Sequence, residues 1–397
     1  MASENLYILG IHMTKFGKYP NRDLIDLAAE ASQGALKDGG VTMGDMNILA
    51  AGNLRGTGRI GQPLQKQIGQ TGIPVYNVTN ACATGATAMR VVMMAIKAGE
   101  ADMGLAVGSE KLAGVGLLTG ANVKQDGETW TPEGRYDAVS ATDGRIGTET
   151  MPGVFAQIGM EYGSRYGEVS FETFARISEK NHYHSTLNPM AAYQKRMSLE
   201  EIMKDVMVAY PNTRPMCSAN TDGAAATVIV SEKKLRTLSK AQQDRAVKIA
   251  ASVLTTDPWE DGCQVLANVN TCTREAAKQA YAQAGVGPED IRLIELHDCF
   301  ATAELVHYDN LMLCDEGAAV EHFNSGATWR EGRQPVNVSG GLESKGHPIA
   351  ATGIANVWEI ATHLRGEGGP RQIDNAKVGM THVIGLGNTC AIHILQK

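Results

Sequence analysis

Long hydrophobic runs are missing from this chain, because no stretch approaches the roughly 20 apolar residues that a membrane-spanning helix requires. The longest apolar runs, such as residues 91–96 (VVMMAI), have the length of buried core segments. The first residues (1–5, MASEN) also lack the basic start and the apolar stretch of a secretory signal peptide. These absences predict a cytoplasmic protein.

Paired cysteines are missing as well. The seven cysteines, at positions 82, 217, 263, 272, 299, 314 and 390, include no CxxC pair. Neither a zinc site nor a disulfide framework is therefore indicated, and no metal is expected. In a reducing compartment these are free thiols, and one or more of them is a candidate for chemistry.

Aromatic residues and basic charge are scarce. Aromatic residues make up 5% of the 397 residues, and the net charge is −7 at pH 7. The acidic balance argues against nucleic acid as the main partner, but it allows an anionic ligand at a local basic patch. With 43% hydrophobic residues, the composition is that of a globular chain of two or three domains.

A weak internal repeat organises the rest of the chain. Residues 26–49 and 271–294 each read as an alanine-rich helix, a Gly-Val stop, an Asp and a short apolar strand. Further on, residues 82–86 (CATGA) and 350–354 (AATGI) each open a helix that leads into an apolar strand. The order helix, strand, helix, strand occurs twice, which favours gene duplication and α/β layers.

The repeat predicts two α/β halves in which helices cover sheets. The first half comprises residues 1–113 together with 217–235, and the second comprises residues 240–397. Residues 114–216 between them are rich in Gly, Met, Tyr, Asn and charge, and they predict an inserted, mostly helical loop domain. The helices expected in this insertion are residues 171–184 and 199–208.

Cys82 is the first candidate for chemistry. It stands in NACATG, where a loop enters a helix expected at residues 83–98. Unpaired backbone N–H groups and the positive end of the helix dipole at such a place lower a thiol pKa and favour the thiolate. The alternative is a small, buried and inert cysteine at a tight turn.

Two histidines and a second cysteine follow in the other half. The motif ELHDCFA places His297 and Cys299 just after an expected strand, where ligands bind in open α/β sheets. Asp298 between them could instead cap the next helix. The motif SGGLESKGHP holds His347 in a glycine-rich loop, where an imidazole near a thiol can take its proton. The alternative for His347 is that it caps a turn.

The last candidate motif is HVIGLGNTC at residues 382–390. A strand ends there in a glycine-rich turn, and a second strand leaves the turn at residues 391–395. Such a turn can present a backbone N–H to an oxyanion. Gly-x-Gly also occurs in ordinary hairpins, so the motif alone leaves both readings open.

In this order and spacing, NACATG, ELHDCFA, SGGLESKGHPIAATG and HVIGLGNTC resemble the thiolase superfamily, above all its sterol-carrier-protein-type (HDCF) subgroup. The stretches KNHYHS (180–185) and CSANTDGAA (217–225) also resemble that subgroup, and the resemblance covers nearly the whole chain. It implies an acyl-CoA C-acyltransferase with the duplicated thiolase fold, in which two βαβαβ-type halves form a layered α-β-α-β-α arrangement with an inserted helical loop domain. One departure is that Gly385 stands where other thiolases carry the acid/base Cys of a C-x-G turn.

The resemblance implies a role for five residues. Cys82 would be the nucleophile that takes the acyl group, and His347 would deprotonate it and line an oxyanion hole. His297 falls where many thiolases have an Asn that positions a water in that hole. Cys299 would be the acid/base in place of the missing Cys. The backbone N–H groups of Cys82 and Gly387 would form a second oxyanion hole, whereas no residue stands out for the CoA nucleotide.

The resemblance also implies a reaction. A 3-oxoacyl-CoA would be cleaved by free CoA through a Cys82 acyl-enzyme, with coenzyme A as substrate and no covalently bound cofactor. The subgroup favours an aromatic or branched ester such as benzoylsuccinyl-CoA, and the close alternative is acetoacetyl-CoA or a fatty 3-oxoacyl-CoA. A decarboxylating condensing enzyme and a catalytically inactive scaffold subunit of the same fold are further alternatives.

Partners are implied in the same way. A homodimer is expected, with residues 74–80 as the interface strand next to the nucleophile's loop. A small zinc-ribbon/OB-fold partner protein is a further expectation. Neither nucleic acid nor a membrane is expected as a partner.

Overall fold

The computed structural model describes residues 4–56, 58–114, 151–167, 169–256, 265–385 and 389–397. Its helices are α1 (Leu24–Gly39), α2 (Gly61–Ile68), α3 (Thr84–Lys97), α4 (Met151–Tyr166), α5 (Phe171–Ser185), α6 (Leu199–Lys204), α7 (Glu232–Leu235), α8 (Lys240–Arg245), α9 (Val265–Ala284), α10 (Ala301–Asn310), α11 (Ala319–Asn324), α12 (Gly341–Ser344) and α13 (Ile349–Leu364). Its strands are β1 (Leu6–Met13), β2 (Ile48–Gly52), β3 (Val75–Val78), β4 (Met103–Lys111), β5 (Met207–Ala209), β6 (Asn212–Thr213), β7 (Asp222–Ser231), β8 (Val247–Thr256), β9 (Leu293–Glu295), β10 (Val378–Gly385) and β11 (Thr389–Gln396). Within these ranges, no helix is long and apolar enough to cross a membrane.

Nine strands of the described chain form one mixed sheet in the order β3-β2-β4-β7-β1-β8-β11-β10-β9. In the first arm, β2 lies parallel to β3 and β4, and β7 is antiparallel to β4 and β1. In the second arm, β11 is antiparallel to β8 and β10, and β9 is parallel to β10. The arms meet at a short antiparallel contact, in which Leu6, Tyr7 and Ile8 pair with β8.

Helices lie between the two arms and on their outer faces. α3 and α13 pack against each other, and α13 contacts β4 and β7 on one side and β10 on the other. α1 packs on β1, β7 and β4, and α9 packs on β8 and β11. Alternate residues of β4 point to opposite faces of the sheet and pack in different hydrophobic cores. Leu105 and Val107 pack in the core beneath α1, and Ala106 packs in the core that contains α3 and α13. The layered α/β fold expected from the sequence is confirmed.

The first pair of repeated segments adopts the same local structure. Gly40 after α1 has a φ of +63°, and Gly285 after α9 has a φ of +68°. A residue in the left-handed region satisfies the last carbonyl groups of a helix, and glycine adopts it without a steric penalty. A short 3₁₀ turn then leads into β2 in one half (Met43–Asp45) and into β9 in the other (Pro288–Asp290).

The second pair of repeats is where the two central helices touch. A Cβ atom added to Gly85 would lie 2.6 Å from the Ala350 carbonyl oxygen, and one added to Gly353 would lie 2.7 Å from the Ala86 nitrogen. A Cβ on Gly108 of β4 would come within 1.9 Å of that same Ala350 oxygen. The absence of side chains at these positions lets the N-termini of α3 and α13 approach backbone to backbone.

The segment before β7 differs from the sequence expectation in one detail. The helix expected at residues 199–208 ends at Lys204, and Met207–Ala209 pairs with Asn212–Thr213 as a small two-stranded sheet. Asp205 ends the helix in an extended conformation, and its carboxylate accepts a 2.6 Å hydrogen bond from the Val206 N–H. Side-chain hydrogen bonds of this kind compete with helix formation, and β-branched residues then favour a strand.

Candidate active site

Four of the five candidate site residues meet at one cavity. Cys82, His297, Cys299 and His347 all line an opening of about 670 Å³. The Cys82 Sγ and one ligand nitrogen from each of the two imidazoles lie within 4.8 Å of one another. The His297 and His347 rings stand edge to face with their centroids 5.3 Å apart. The fifth candidate, Gly387, lies outside the described residues.

Cys82 is held at the start of α3 by a tight loop. Ala81 has a φ of +45°, and the Thr84 hydroxyl donates to the Ala81 carbonyl over 2.6 Å while it accepts from the Asn80 N–H over 2.8 Å. α3 begins at Thr84 with no side-chain cap. The thiol therefore sits where a loop enters a helix, as the sequence predicts.

The expected low pKa of this thiol is wrong. Burial, followed by the negative charge of Glu110, raises the pKa of Cys82 to about 12. Cys82 is only 5% exposed, and loss of hydration disfavours the thiolate more than the start of a helix stabilises it. The resting group is therefore a thiol, which needs a base before it can act as a nucleophile.

His347 has the geometry of such a base. Its backbone N–H donates to the Ala219 carbonyl over 2.9 Å, and its Nδ1 lies 2.7 Å from the Thr352 Oγ1. The Thr352 hydroxyl donates to the Pro348 carbonyl over 3.2 Å, so it can accept the Nδ1–H of the imidazole. That tautomer leaves a lone pair on Nε2, which has no hydrogen-bond partner among the described residues. Burial lowers the pKa of His347 to about 3, so the ring is neutral at rest and its Nε2 lone pair carries no proton.

His297 and Cys299 reach the cavity from the loop between β9 and α10. The Ser218 N–H donates to the Cys299 carbonyl over 2.8 Å, and the neighbouring Ala219 accepts from His347, so one short segment ties both motifs together. Burial lowers the pKa of His297 well below its usual value, and His347 adds to that effect. Burial, followed by the proximity of Cys82, raises the pKa of the Cys299 thiol well above its usual value. Both groups are neutral at rest.

Asp298 does not cap the helix that follows it. The N-cap of α10 is Phe300, which makes no side-chain cap. The Asp298 carboxylate instead accepts from the backbone N–H of Leu342 over 2.8 Å and of Glu343 over 3.5 Å. It thereby holds the loop of His347 against the loop of Cys299, which is a positioning role.

A buried polar cluster lies next to these loops, and the sequence reasoning missed it. Asn181 donates its side-chain amide to Asp298, Glu304 and Glu343 over 3.2, 2.8 and 3.4 Å, respectively. Lys180 forms a buried ion pair with Glu304. The only signal in the sequence was the stretch KNHYHS, which matches the family pattern but does not say what its polar residues contact.

The rest of the cavity wall is apolar in one part and carries exposed basic residues in another. The apolar lining residues include Met151, Phe155, Met197, Phe300 and Ile384. Lys195 and Arg214 also border the cavity, with side chains 75% and 70% exposed. Met151 and Phe155 lie on α4 and line the cavity, whereas Met160 of the same helix is exposed and Tyr162 is buried.

The thiol and the two imidazoles are also a donor set that zinc accepts. Three such groups with one open position would be enough for a metal ion. The sequence predicts no metal here.

Fold and site together define a layered α/β protein with a thiol–imidazole cavity that is lined by Cys82, by residues between 151 and 220, and by residues between 297 and 384. Family models match the chain as "Thiolase, N-terminal domain" over residues 6–144 and as "Thiolase C-terminal domain-like" over residues 264–397. The chain belongs to the thiolase family and is an acyltransferase.

Several relatives cover almost the whole chain. Sterol carrier protein 2 of Rattus norvegicus is 36% identical over 98% of this chain and 72% of its own length. Acetyl-CoA acetyltransferase of Methanothermobacter thermautotrophicus is 32% identical over 98% of this chain and 99% of its own. Benzoylsuccinyl-CoA thiolase subunit BbsB of Thauera aromatica is 31% identical over 96% and 95%.

Solved structures share the fold. The Ltp2-ChsH2(DUF35) aldolase superposes with a TM-score of 0.81 at 21% identity, over 100% of this chain and 98% of that one. Human mitochondrial 3-ketoacyl-CoA thiolase in complex with CoA superposes with a TM-score of 0.72 at 16% identity, over 99% and 98%. At these identities the likeness concerns the fold alone.

Proposed function

We propose that this chain cleaves a 3-oxoacyl-CoA with free CoA through an acyl-enzyme on Cys82. The observation that carries the proposal is the approach of a buried thiol to an unpartnered imidazole nitrogen in one cavity. The candidate substrate is an aromatic or branched ester such as benzoylsuccinyl-CoA.

In the first half-reaction, His347 takes the proton of Cys82, and the thiolate attacks the 3-keto carbon. The bond between the α and β carbons breaks, and its electron pair leaves as the enolate of an acyl-CoA. Cys299 gives its proton to the α carbon of this enolate, and the shortened acyl-CoA product is released. The acyl group remains on Cys82 as a thioester.

In the second half-reaction, free CoA replaces the first product. The Cys299 thiolate takes the proton of the CoA thiol, and the CoA sulfur attacks the acyl-enzyme. Cys82 leaves as a thiolate and recovers its proton from His347. Both cysteines return to the thiol state in which their raised pKa values hold them at rest.

Two groups of donors would stabilise the oxyanions. His297 and His347 would stabilise the negative charge on the thioester oxygen of the substrate, and His297 would do so through a water that it positions. The backbone N–H groups of Cys82 and Gly387 would serve the oxyanion at the attacked carbon. A missing donor of this kind costs about 10²–10³ in rate.

The cavity wall favours a bulky substrate. Phe155 and Phe300 stack with their ring centroids 5.2 Å apart, and both belong to the lining. Aromatic walls suit an aromatic acyl group, and the Thauera relative is named for benzoylsuccinyl-CoA. The alternative is acetoacetyl-CoA or a fatty 3-oxoacyl-CoA, which the name of the Methanothermobacter relative favours.

A panel of CoA esters tests the reaction and the substrate together. Thiolysis would be followed at fixed free CoA with acetoacetyl-CoA, straight-chain and phenyl-substituted 3-oxoacyl-CoA esters. We expect the phenyl-substituted ester to have the highest kcat/KM. The substrate proposal is wrong if acetoacetyl-CoA exceeds it, and absence of thiolysis with every ester would favour an inactive scaffold subunit.

Acyl-enzyme trapping tests the nucleophile. Mass spectrometry after incubation with an acyl-CoA should find the acyl group on the peptide that contains Cys82. Cys217→Ala is the matched control, since Cys217 lines the same cavity and its removal should leave the label in place.

We also propose a homodimer through β3. This strand lies at the edge of the sheet, and its Tyr76 is 48% exposed. The free backbone groups of an edge strand are a template for pairing with a second chain. Sedimentation equilibrium should give twice the mass of the chain, and a monomer at micromolar concentration would contradict the proposal.

A small zinc-ribbon/OB-fold partner is proposed beside the homodimer. Two of the comparisons support it, because one relative is named as a thiolase subunit and one structural neighbour is named with a DUF35 component. Co-expression with candidate small proteins, followed by size-exclusion chromatography, would show whether one co-elutes.

A further inference from the structure

Glu343 is a buried carboxyl group on the wall of the cavity, and the mechanism above does not use it. It is 1% exposed and lines the same opening as Cys82 and Cys299. Its Oε1 accepts a long hydrogen bond of 3.4 Å from Asn181. Its Oε2 has no hydrogen-bond partner among the residues that the structure describes. An unpaired buried polar atom of this kind is costly unless a ligand supplies its partner.

The surroundings of Glu343 favour a neutral carboxyl group. Asp298, Glu304 and Glu343 each have an oxygen within 4.8 Å of the others, while Lys180 supplies one positive charge. Three buried carboxylates cannot all ionise beside one ammonium group. Burial, followed by the charge of Glu304, raises the pKa of Glu343 to about 8. Burial also raises the pKa of Asp298 well above its usual value, but the Asp298 oxygens accept the backbone N–H groups of Leu342 and Glu343. The contacts therefore favour a proton on Glu343, and because Oε1 accepts from Asn181, that proton belongs on Oε2, which then becomes a donor.

The interior position of Glu343 indicates which end of a substrate would reach it. Lys195 and Arg214 are exposed at the mouth, where the charged nucleotide of a CoA ester can remain hydrated. Glu343 lies with Cys299 among the buried residues of the lining, next to the half-buried Cys217. An acyl chain that extends beyond the reacting carbon would meet this buried region.

We infer that Glu343 is a specificity-determining residue that donates a hydrogen bond to an oxygen substituent on the acyl chain of the substrate. This inference rests on the proposed function for the identity of the ligand as a 3-oxoacyl-CoA. The class of substrate is a 3-oxoacyl-CoA that carries a carbonyl, hydroxyl or carboxyl oxygen besides its 3-keto and thioester oxygens, as benzoylsuccinyl-CoA does in its free carboxyl group. A purely hydrocarbon chain would leave the Glu343 donor unpaired, which selects against it.

Binding measurements test the inference apart from turnover. The probes are 3-oxooctanoyl-CoA and its analogues with one hydroxyl group at carbon 5, 6, 7 or 8. Dissociation constants would be measured by calorimetry in the Cys82→Ala background, which prevents acyl transfer. We expect at least one hydroxylated ester to bind about fivefold to tenfold more tightly than the parent ester.

Two substitutions identify the residue responsible. Glu343→Met removes both oxygens at similar volume and should abolish the preference for the hydroxylated ester. Glu343→Gln keeps a donor and should retain most of it. A preference that survives Glu343→Met overturns the inference. The inference is also overturned if Glu343→Met weakens the binding of free CoA and of all esters by the same factor. Glu343 would then contact the pantetheine arm that all of these ligands share.

A pH series gives a second readout that does not depend on the folding of Glu343→Met. The ionisable groups that face Glu343 are Lys180, Asp298, Glu304 and Cys217. The donor is present below about pH 8 and is lost as the pH rises through that value. In the Cys82→Ala chain with Glu343 intact, the dissociation constants of the parent ester and of the hydroxylated ester should therefore become equal as the pH rises from 7 to 9. In Cys82→Ala with Glu343→Gln, the ratio of these two constants should not change with pH. A constant ratio in both would contradict the inference.

Turnover distinguishes this inference from the proposed function. If no ester is cleaved while the binding preference is present and depends on Glu343, the reaction is wrong and the recognition stands. If esters are cleaved without any preference, the reaction stands and the inference fails.

Discussion

The N-termini of the two central helices carry the same short motif and serve different chemistry. In the first repeat, the Thr84 hydroxyl bonds backbone groups of Asn80 and Ala81 and no side chain within the described part of the structure, and it thereby shapes the loop of Cys82. In the second repeat, the equivalent Thr352 bonds an imidazole, His347. A threonine thus stabilises the loop of the Cys82 thiol in one half, and the equivalent threonine in the other half orients His347, the base that acts on that thiol.

A second difference concerns what each half contributes. The first half supplies the thiol of Cys82, whereas the second supplies both imidazoles and the Cys299 thiol. Each set is incomplete alone, and the contact between α3 and α13, which follow the loops of Cys82 and His347, holds the two sets together. When the two halves of a duplicated fold diverge in sequence, one half can therefore supply a nucleophile and the other half the groups that act on it.

The largest expected effect follows from removal of the thiol of the first half. Cys82→Ala should lower kcat/KM for thiolysis by at least about 10⁴, because no other group can carry the acyl intermediate. Steady-state kinetics would measure this, with circular dichroism to confirm the fold. Cys314→Ala is the matched control, since Cys314 lines a different surface depression. Comparable activity in Cys82→Ala and the control would rule out the covalent mechanism.

The protonation state of the same thiol gives the next effect. With the pKa of Cys82 raised to about 12, the thiolate fraction rises about tenfold per pH unit throughout the range below that value. The rate of iodoacetamide alkylation at Cys82, followed by peptide mass spectrometry, should therefore increase from pH 7 to 10 without reaching a plateau. A plateau below pH 8 would mean that the start of α3 stabilises a resting thiolate after all.

The contact between the two halves can be broken at one glycine. Gly85→Ala would place a Cβ 2.6 Å from the Ala350 carbonyl, which must separate α3 from α13. Overpacking of this kind costs about 1–3 kcal/mol of unfolding free energy, and kcat should fall because Cys82 moves away from His347.

Gly44→Ala is the matched control for that change. A Cβ on Gly44 would meet only the Thr42 hydroxyl, at 3.5 Å, so melting temperature and kcat should stay near those of the unchanged chain. Equal melting temperatures for the two variants would show that the helices can adjust.

The smallest effect tests the orientation of the base in the second half. Thr352→Val removes the Nδ1 partner of His347 and allows the tautomer that cannot accept at Nε2. We expect kcat to fall about tenfold, with little change in KM. Thr352→Ser should restore the rate and the pH profile, and failure of that rescue would assign Thr352 a packing role only.

The resemblance of four motifs to those of the thiolase superfamily was enough to predict which groups meet. Cys82, His297, Cys299 and His347 each follow a strand or precede a helix, and in layered α/β folds these positions converge at one edge. The pKa of Cys82 could not be predicted, because it depends on burial and on Glu110, which is distant in the sequence. Glu343 was missed because its role depends on Asn181 and Glu304 from other helices.

The sequence by itself determined the order of helices and strands, the repeat, and the loops that carry the reactive groups, since all of these follow from local patterns of glycine, alanine and apolar residues. The tertiary structure alone decided the charge state of those groups and the shape of the cavity. Desolvation and neighbouring charges act through space, so a residue's pKa is a property of its surroundings and not of its neighbours in the chain.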